Sequence, residues 1–158
     1  MAADFNKAIT NRDQADLERF RQLDKKKFGD MTDEEKAEWI SGSKATYNAS
    51  DLNRVGEFML DLASRLKTIA GISVDVSPKI NWTYTDIPSS DQLNRYISDL
   101  HELNSALKFN TADIPSSASN LTFLGANAIE QMCLDLNAVL INLDASGFFC
   151  DELFSDEI

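Results

Sequence analysis

The chain has 158 residues, of which 43% are hydrophobic and 26% charged, and its formal net charge is −11. This composition fits one ordinary globular domain with a hydrophobic core, and no apolar run approaches the ~20 residues of a membrane-spanning helix. The negative charge argues against a nucleic-acid partner, because phosphate binding requires Lys and Arg side chains.

The N-terminal region combines an irregular start with a first predicted helix. Met1–Lys7 lack the basic-then-apolar order of a secretory signal, so we expect the protein to stay on the side of the membrane where it is made, without membrane insertion. Residues 1–9 have no clear periodicity, and we expect them to be loose or bound to a partner. Thr10 or Asn11 is predicted to cap a helix that runs to about Phe28.

Charged residues mark the end of this helix and the start of the next. We interpret the run Lys25–Lys27 as cations that favour the C-terminus of a helix dipole rather than as a binding patch. Thr32 and Glu35 have the spacing of a capping box, which predicts a short helix from Asp33 to about Ile40.

Three longer helices are predicted at about residues 51–67, 90–108 and 122–144. Each carries apolar residues three and four apart, a pattern typical of a helix with one buried face. The last is apolar over most of its circumference, so we expect it to be the central, buried helix. Helices with such seams pack together as a bundle.

A short sequence pattern recurs in the three long helices. In each, an Asn follows the first residue of the apolar seam and an acid precedes the fourth. The asparagines are Asn53, Asn94 and Asn127, and the acids are Asp61, Glu102 and Asp135. The recurrence indicates either a duplicated helical unit or only the shared demands of bundle packing, and its unequal spacing excludes a solenoid.

Two stretches with aromatic residues lie outside the helical seams. Residues 72–84 alternate apolar and polar side chains around Pro78, which predicts a short hairpin or an extended arm. Residues 147–158 alternate aromatic residues with acids. Such aromatics dock either onto the chain's own body or onto a partner, where they commonly dominate an interface. The interface candidates are Trp82, Tyr84, Phe148, Phe149 and Phe154.

The sequence contains few of the residue types that commonly serve as catalytic groups or metal ligands. The single histidine, His101, lies beside Glu102 on the wet flank of its predicted helix. Cys133 falls on a buried seam and Cys150 in the C-terminal segment, so neither a disulfide framework nor a zinc site is indicated. We expect no catalytic residues, no cofactor and no metal site, and we interpret the chain as a non-enzyme.

The predicted fold is therefore all-α. We expect a three-helix bundle core with additional N-terminal helices and a short extended or hairpin arm. The predicted parts are an N-terminal helical segment at residues 1–46, a helical bundle at residues 47–146 and an acidic aromatic segment at residues 147–158.

Four groups of residues carry a likeness to known proteins. They are Met31-Thr32 with Glu38-Trp39, then Tyr47–Val55, then Val76–Lys79 with Trp82 and Asp86–Pro88, and finally Leu121–Phe123 with Ala126–Glu130. Together they resemble a group of small proteins encoded among the tail genes of phages and prophages of Gram-positive gut bacteria, over about residues 10–158. The sequence departs from that pattern at Gly125, where an acid would complete a capping box with Thr122. It also departs in the C-terminal segment, where small residues usually separate the acids.

The resemblance implies a structural role in the virion, at the tail tip, baseplate or fibre attachment, for a protein made in the host cytoplasm. It also implies other tail proteins as partners, assembly as a homo-oligomer, and no catalytic residues. The main alternative is a cytosolic acidic helical adaptor or inhibitor that binds a basic protein, because an acidic surface suits such a partner as well as plain solvation. An enzyme is the third function class.

Overall fold

The computed structural model describes residues 2–108 and 113–147, and these residues form five α-helices and no β-strand. The α-helices are α1 (Gln14–Asp24), α2 (Asp33–Ser41), α3 (Ala49–Ala70), α4 (Ser90–Ser105) and α5 (Phe123–Ser146), and short 3₁₀ helices cover Phe5–Lys7, Phe28–Asp30 and Ala118–Asn120. The all-α prediction is confirmed. None of the helices within the described ranges is long and apolar enough to cross a bilayer.

The hydrophobic core lies between α3, α4 and α5, as the three seams predict. Leu62, Leu100 and Leu136, one from each helix, are fully buried in a single cluster. Burying a Leu side chain contributes about 1.5–3 kcal/mol, so these seams supply much of the stability. Helix α3 packs most extensively against α5 and also contacts α4.

The three core helices begin at the same end of the bundle. Leu52, Leu93 and Ala126, each near the start of its helix, line one cavity of about 650 Å³. The connection from α3 to α4 therefore returns along the bundle, from Gly71 at the end of α3 to Trp82, which is hydrogen-bonded to the second turn of α3. This arm contains no strand, so the hairpin alternative is wrong and the segment is a single non-helical arm.

Residues 3–9 pack against the chain's own bundle, whereas residues 1–9 were predicted to be loose or bound to a partner. Phe5 stacks on Phe58 of α3 with ring centroids 4.6 Å apart. Helix α1 then begins later than predicted, because Asp13 caps it and forms a capping box with Asp16. Residues 9–12 precede that cap, which leaves Arg12 free of the helix and able to enter the core.

Helix α1 also ends earlier than predicted, at Asp24 rather than near Phe28. The lysine run therefore lies beyond the helix, where Lys26 Nζ is 2.5 Å from Glu35 Oε1 in α2. The predicted capping box of Thr32 and Glu35 is confirmed at the start of α2. Lys25 is the C-cap residue of α1, so the run begins directly at the helix C-terminus, as expected, and Lys26 in addition links this end of α1 to α2.

Helix α5 is less enclosed than its composition predicts, since Leu124 is 65% and Ile141 52% exposed. Its cap is the predicted Thr122, whose hydroxyl accepts the amide hydrogen of Gly125. A Cβ at Gly125 would lie 2.6 Å from Cγ of Pro115, so this position needs glycine for a close approach. That packing gives a physical reason for the departure from the capping-box pattern.

Candidate functional site

Four charged side chains meet inside the bundle: Arg12, Asp51, Arg54 and Glu130. Arg12 and Glu130 have fully buried side chains, and an Arg12 guanidinium nitrogen lies 2.7 Å from Glu130 and 2.9 Å from Asp51. Arg54 donates to the same two carboxylates, with a distance of 2.7 Å to Glu130 Oε1. Two cations and two anions balance, so the cluster has no net charge.

Backbone groups complete the bonding of this buried cluster. Arg12 donates to the carbonyl oxygens of Lys44, at 3.0 Å, and of Ile9, while the Ile9 amide donates to Glu130 at 2.7 Å. Within the described residues, no buried side-chain nitrogen or oxygen lacks a hydrogen-bond partner. A buried charge is stable only when it is paired and hydrogen-bonded in this way. The cluster therefore joins the N-terminal segment to α3 and α5 and leaves no donor or acceptor directed at a ligand.

The surroundings of the cluster raise the pKa of two ionisable groups, Arg54 and Cys133. Burial disfavours the charged form of Arg54, but its bonds to Glu130 and Asp51 outweigh this and raise its pKa above the usual range. Burial, together with the nearby negative charge of Glu130, raises the pKa of the Cys133 thiol. A thiol held protonated is a poor nucleophile, so Cys133 acts as a core residue.

A pair of tyrosines lies next to this cluster. The hydroxyls of Tyr47 and Tyr96 are 2.5 Å apart, and burial raises the pKa of both phenols well above the usual range. The bond ties the segment before α3 to α4. Like the charged cluster, it satisfies polar groups inside the bundle.

Two asparagines of the recurring pattern hold non-helical backbone against the bundle. The side-chain amide of Asn127 accepts from the Arg12 amide at 3.1 Å and donates to the Arg12 carbonyl at 2.8 Å. Asn53 does the same to Trp82, at 2.7 and 2.9 Å. The third asparagine, Asn94, is exposed on α4. At two of the three positions of the pattern, the Asn side chain therefore holds a non-helical segment against a core helix.

The structure separates the predicted interface residues. Trp82 is only 8% exposed and belongs to the hydrophobic core, with Lys79 Nζ 4.1 Å from the centroid of its ring. Tyr84 is 87% exposed. His101 lies on the surface with Nε2 3.0 Å from the carbonyl oxygen of Pro115. The other candidates, Phe148, Phe149 and Phe154, lie outside the described residues, as does Cys150.

A groove of about 780 Å³ runs between the α1–α2 pair and the segment that precedes α4; we call it the aromatic groove. Phe20 and Trp39, stacked with ring centroids 5.8 Å apart, lie on one wall, and Trp82 and Tyr84 lie on the other. The start of α3, from Asn48 to Asn53, also contributes to its lining. Ile40 and Tyr84 are the large exposed side chains at its rim.

The charged side chains in the lining of the aromatic groove are acidic. Two carboxylates line it, Asp24 and Asp86, and none of the described residues in its lining is Lys, Arg or His. The backbone amide of Thr83 and the ammonium group of Lys79, which lies outside the lining, lower the pKa of Asp86. Asp86 is therefore ionised at neutral pH. The groove suits a partner that brings apolar and cationic groups.

Sequence reasoning missed the buried charges and the aromatic groove. One sequence feature indicates a buried charge at Glu130: this acid stands beside the seam residue Ile129 in the most apolar helix. No such feature marks Arg12, because its partners Asp51 and Glu130 are far away along the chain. The groove joins residues from α1, α2 and the 82–88 segment, which no local pattern connects.

Among residues 2–108 and 113–147, no group of three or more His, Cys, Asp and Glu side chains is placed to hold a metal ion. Comparison with protein-family models, with curated proteins and with solved structures finds no match to this chain.

Proposed function

We propose that this protein is a structural component of a phage particle, in the region of the tail tip, baseplate or fibre attachment, and that it acts through protein–protein assembly. The observation that carries the proposal is the aromatic groove. Exposed aromatic side chains beside a cleft are common anchors of protein interfaces. The sequence resemblance to phage tail-gene products supplies the biological setting.

The internal chemistry supports a binding role. Arg12, Glu130 and their partners are bonded to one another within the bundle, and Cys133 is held as a protonated thiol. A groove with exposed Tyr84 and Ile40 at its rim offers contact area. In this proposal, other tail proteins bind there, and several copies of the chain assemble in the virion.

A cytosolic acidic adaptor is the second candidate, favoured by the absence of cationic side chains among the described residues that line the groove. Size-exclusion chromatography with light scattering distinguishes the two. A stable trimer or hexamer supports the virion component, whereas a monomer that binds a host factor supports the adaptor.

The direct test is to look for the protein in particles. Particles are purified on a density gradient from the phage or induced prophage that encodes the chain, and their proteins are quantified by mass spectrometry. We expect the chain to co-purify at a constant ratio to the major tail protein, and deletion of its gene to lower the infectious titre. Absence from purified particles, together with an unchanged titre, would overturn the proposal.

A further inference from the structure

We infer that the aromatic groove binds a basic segment of a neighbouring protein, with a Lys or Arg side chain placed between the exposed ring of Tyr84 and the carboxylates of Asp24 and Asp86. This inference rests on the proposed function, because it names the site through which the chain would assemble. It specifies the chemistry of the partner, which the proposed function leaves open.

The aromatic ring faces in the groove can attract a cation. A cation within about 6 Å of an aromatic centroid is attracted by the negative face of the ring, and Trp and Tyr are the best acceptors. The groove presents both types, in Trp39 and Tyr84. The chain already makes this contact beside the groove, where Lys79 lies 4.1 Å from the ring centroid of Trp82.

The acidic side chains of the groove also favour a basic occupant. Asp24, at the end of α1, and Asp86 line the same groove, so a cationic side chain that enters it meets acidic groups. Asp86 is also paired with Lys79 at 3.0 Å, so Asp24 is the carboxylate with more to gain from a partner. The formal charge of the whole chain, −11, attracts a basic segment over a longer range.

The same charges disfavour two other occupants. The C-terminal residues 148–158 include four acids, Asp151, Glu152, Asp156 and Glu157, which the carboxylates of the groove would repel. A second copy of the chain would bring another net charge of −11 to the contact. A basic partner is the occupant that complements the groove.

The experiment uses the intrinsic fluorescence of the protein. The chain has two tryptophans, Trp39 and Trp82, and both line the aromatic groove, so we expect binding there to change their emission. The full chain is titrated at low salt with a capped peptide of Lys-Leu-Ser repeats. Matched peptides carry Gln or Glu in place of Lys. We expect the Lys peptide to shift the emission and to bind at least roughly tenfold more tightly than the Gln peptide.

Two pairs of variants locate the binding. Tyr84→Ala should weaken binding of the Lys peptide by roughly fivefold, whereas Ile87→Ala, which removes another highly exposed side chain outside the groove, should not. Asp24→Lys should weaken binding strongly. Glu57→Lys makes the same change in net charge on an exposed residue of α3 outside the groove, and should have a much smaller effect.

Equal weakening by Asp24→Lys and Glu57→Lys would overturn the inference, because it would show attraction by net charge alone. Equal affinity for the Lys, Gln and Glu peptides would also overturn it. If the Lys peptide fails to shift the emission while the protein is present in purified particles, the groove assignment fails and the virion role stands. If binding depends on the groove but the protein is absent from particles, the virion role fails instead.

Discussion

The charged residues inside the bundle show how a single side chain can hold distant parts of the chain together. Arg12 is fully buried, and its guanidinium group bonds to α3 through Asp51 and to α5 through Glu130. Removing one member of such a group leaves the others charged and buried, which is strongly destabilising. Replacing a whole buried ion pair by apolar residues is much less costly, so the cluster matters most as a complete set.

Arg12→Met tests this cluster. We expect the substitution to lower the free energy of unfolding by about 3–5 kcal/mol, because Glu130 and Asp51 lose a charged partner inside the bundle. Arg21→Met, which makes the same change at an exposed position of α1, should have little effect. Urea denaturation of both variants gives the comparison. Equal stabilities would mean that the Arg12 contacts contribute no more than a surface charge.

Leu136→Ala tests the core seam of α5. Leu136 is fully buried, so we expect a loss of about 2–5 kcal/mol, the range for truncating a buried Leu. Leu124→Ala in the same helix is the matched control, since that side chain is 65% exposed. Thermal melts of the two variants provide the measurement. A Leu136→Ala melt that matches the parent would contradict the assignment of this residue to the core.

At the level of elements, the helices could be predicted from the sequence because their signals are local. The seams are three and four residues apart, and the caps at Thr32, Ser89 and Thr122 lie three residues from the groups they bond. The returning arm could not be predicted in the same way. Its backbone bonds to helix side chains, Trp82 to Asn53 and Ser77 to Asp99, so its alternation does not reflect a partner strand.

Gly125 lies close to the loop before α5. This close approach predicts that Gly125→Ala destabilises the protein, whereas helix propensity alone predicts that it stabilises it. Ala is favoured over Gly in a helix interior by about 1 kcal/mol, and by less in the first turn. Overpacking a close contact costs about 1–3 kcal/mol. We therefore expect Gly125→Ala to destabilise the protein, because its Cβ would meet Pro115 Cγ at 2.6 Å.

Two further variants control for this result in chemical denaturation. Gly29→Ala should be neutral or slightly stabilising, since no atom lies within 4 Å of the added Cβ. In a Pro115→Ala background, Gly125→Ala should lose its destabilising effect. Destabilisation that persists in that background would exclude the proline contact as its cause.

The stability that the packing of α1 and α2 contributes should depend on pH through Glu35. The ammonium group of Lys26 and the backbone amide of Thr32 lower the pKa of this carboxyl group. Because its pKa is lower in the folded state, the ionised form stabilises the fold above the pKa of the unfolded chain. This stabilisation is lost as the pH falls through the lowered pKa of the folded state.

Glu35→Gln isolates this effect, because Gln can still close the capping box. We expect the variant to be less stable than the parent at pH 7 and the difference to shrink as the solution becomes acidic. Glu57→Gln, at an exposed position without an ion-pair partner in the described residues, is the control. Urea denaturation across the pH range measures both. A difference for Glu35→Gln that stays constant with pH would show that the charge plays no part.

For the whole molecule, the arrangement of the core helices depends on the path of the segments that connect them. The three core helices share one direction, so the chain between α3 and α4 must return along the bundle, and Asn53 anchors it at the far end. The N-terminal segment is anchored in the equivalent way by Asn127. The recurring Asn was visible in the sequence, but its role was not, because the backbone that it binds is identified only by the fold.

The final prediction concerns this N-terminal segment. Deleting residues 2–12 keeps the Asp13 cap of α1 but removes Arg12, the Ile9 amide that donates to Glu130, and Phe5 from its stack on Phe58. We expect the deletion to lower the free energy of unfolding by at least the roughly 3–5 kcal/mol expected for losing Arg12 alone. Since a domain of this size has only about 5–15 kcal/mol in total, the melt should lose much of its cooperativity.

Deletion of residues 148–158 is the control of similar length at the other end of the chain. We expect that variant to retain a cooperative melt, because the helical seams and the buried charges that the structure describes lie before residue 148. Differential scanning calorimetry of both deletions makes the comparison. If the N-terminal deletion melts like the full chain, the buried Arg12 cluster does not hold the bundle together. If the C-terminal deletion unfolds the protein, the core extends past α5.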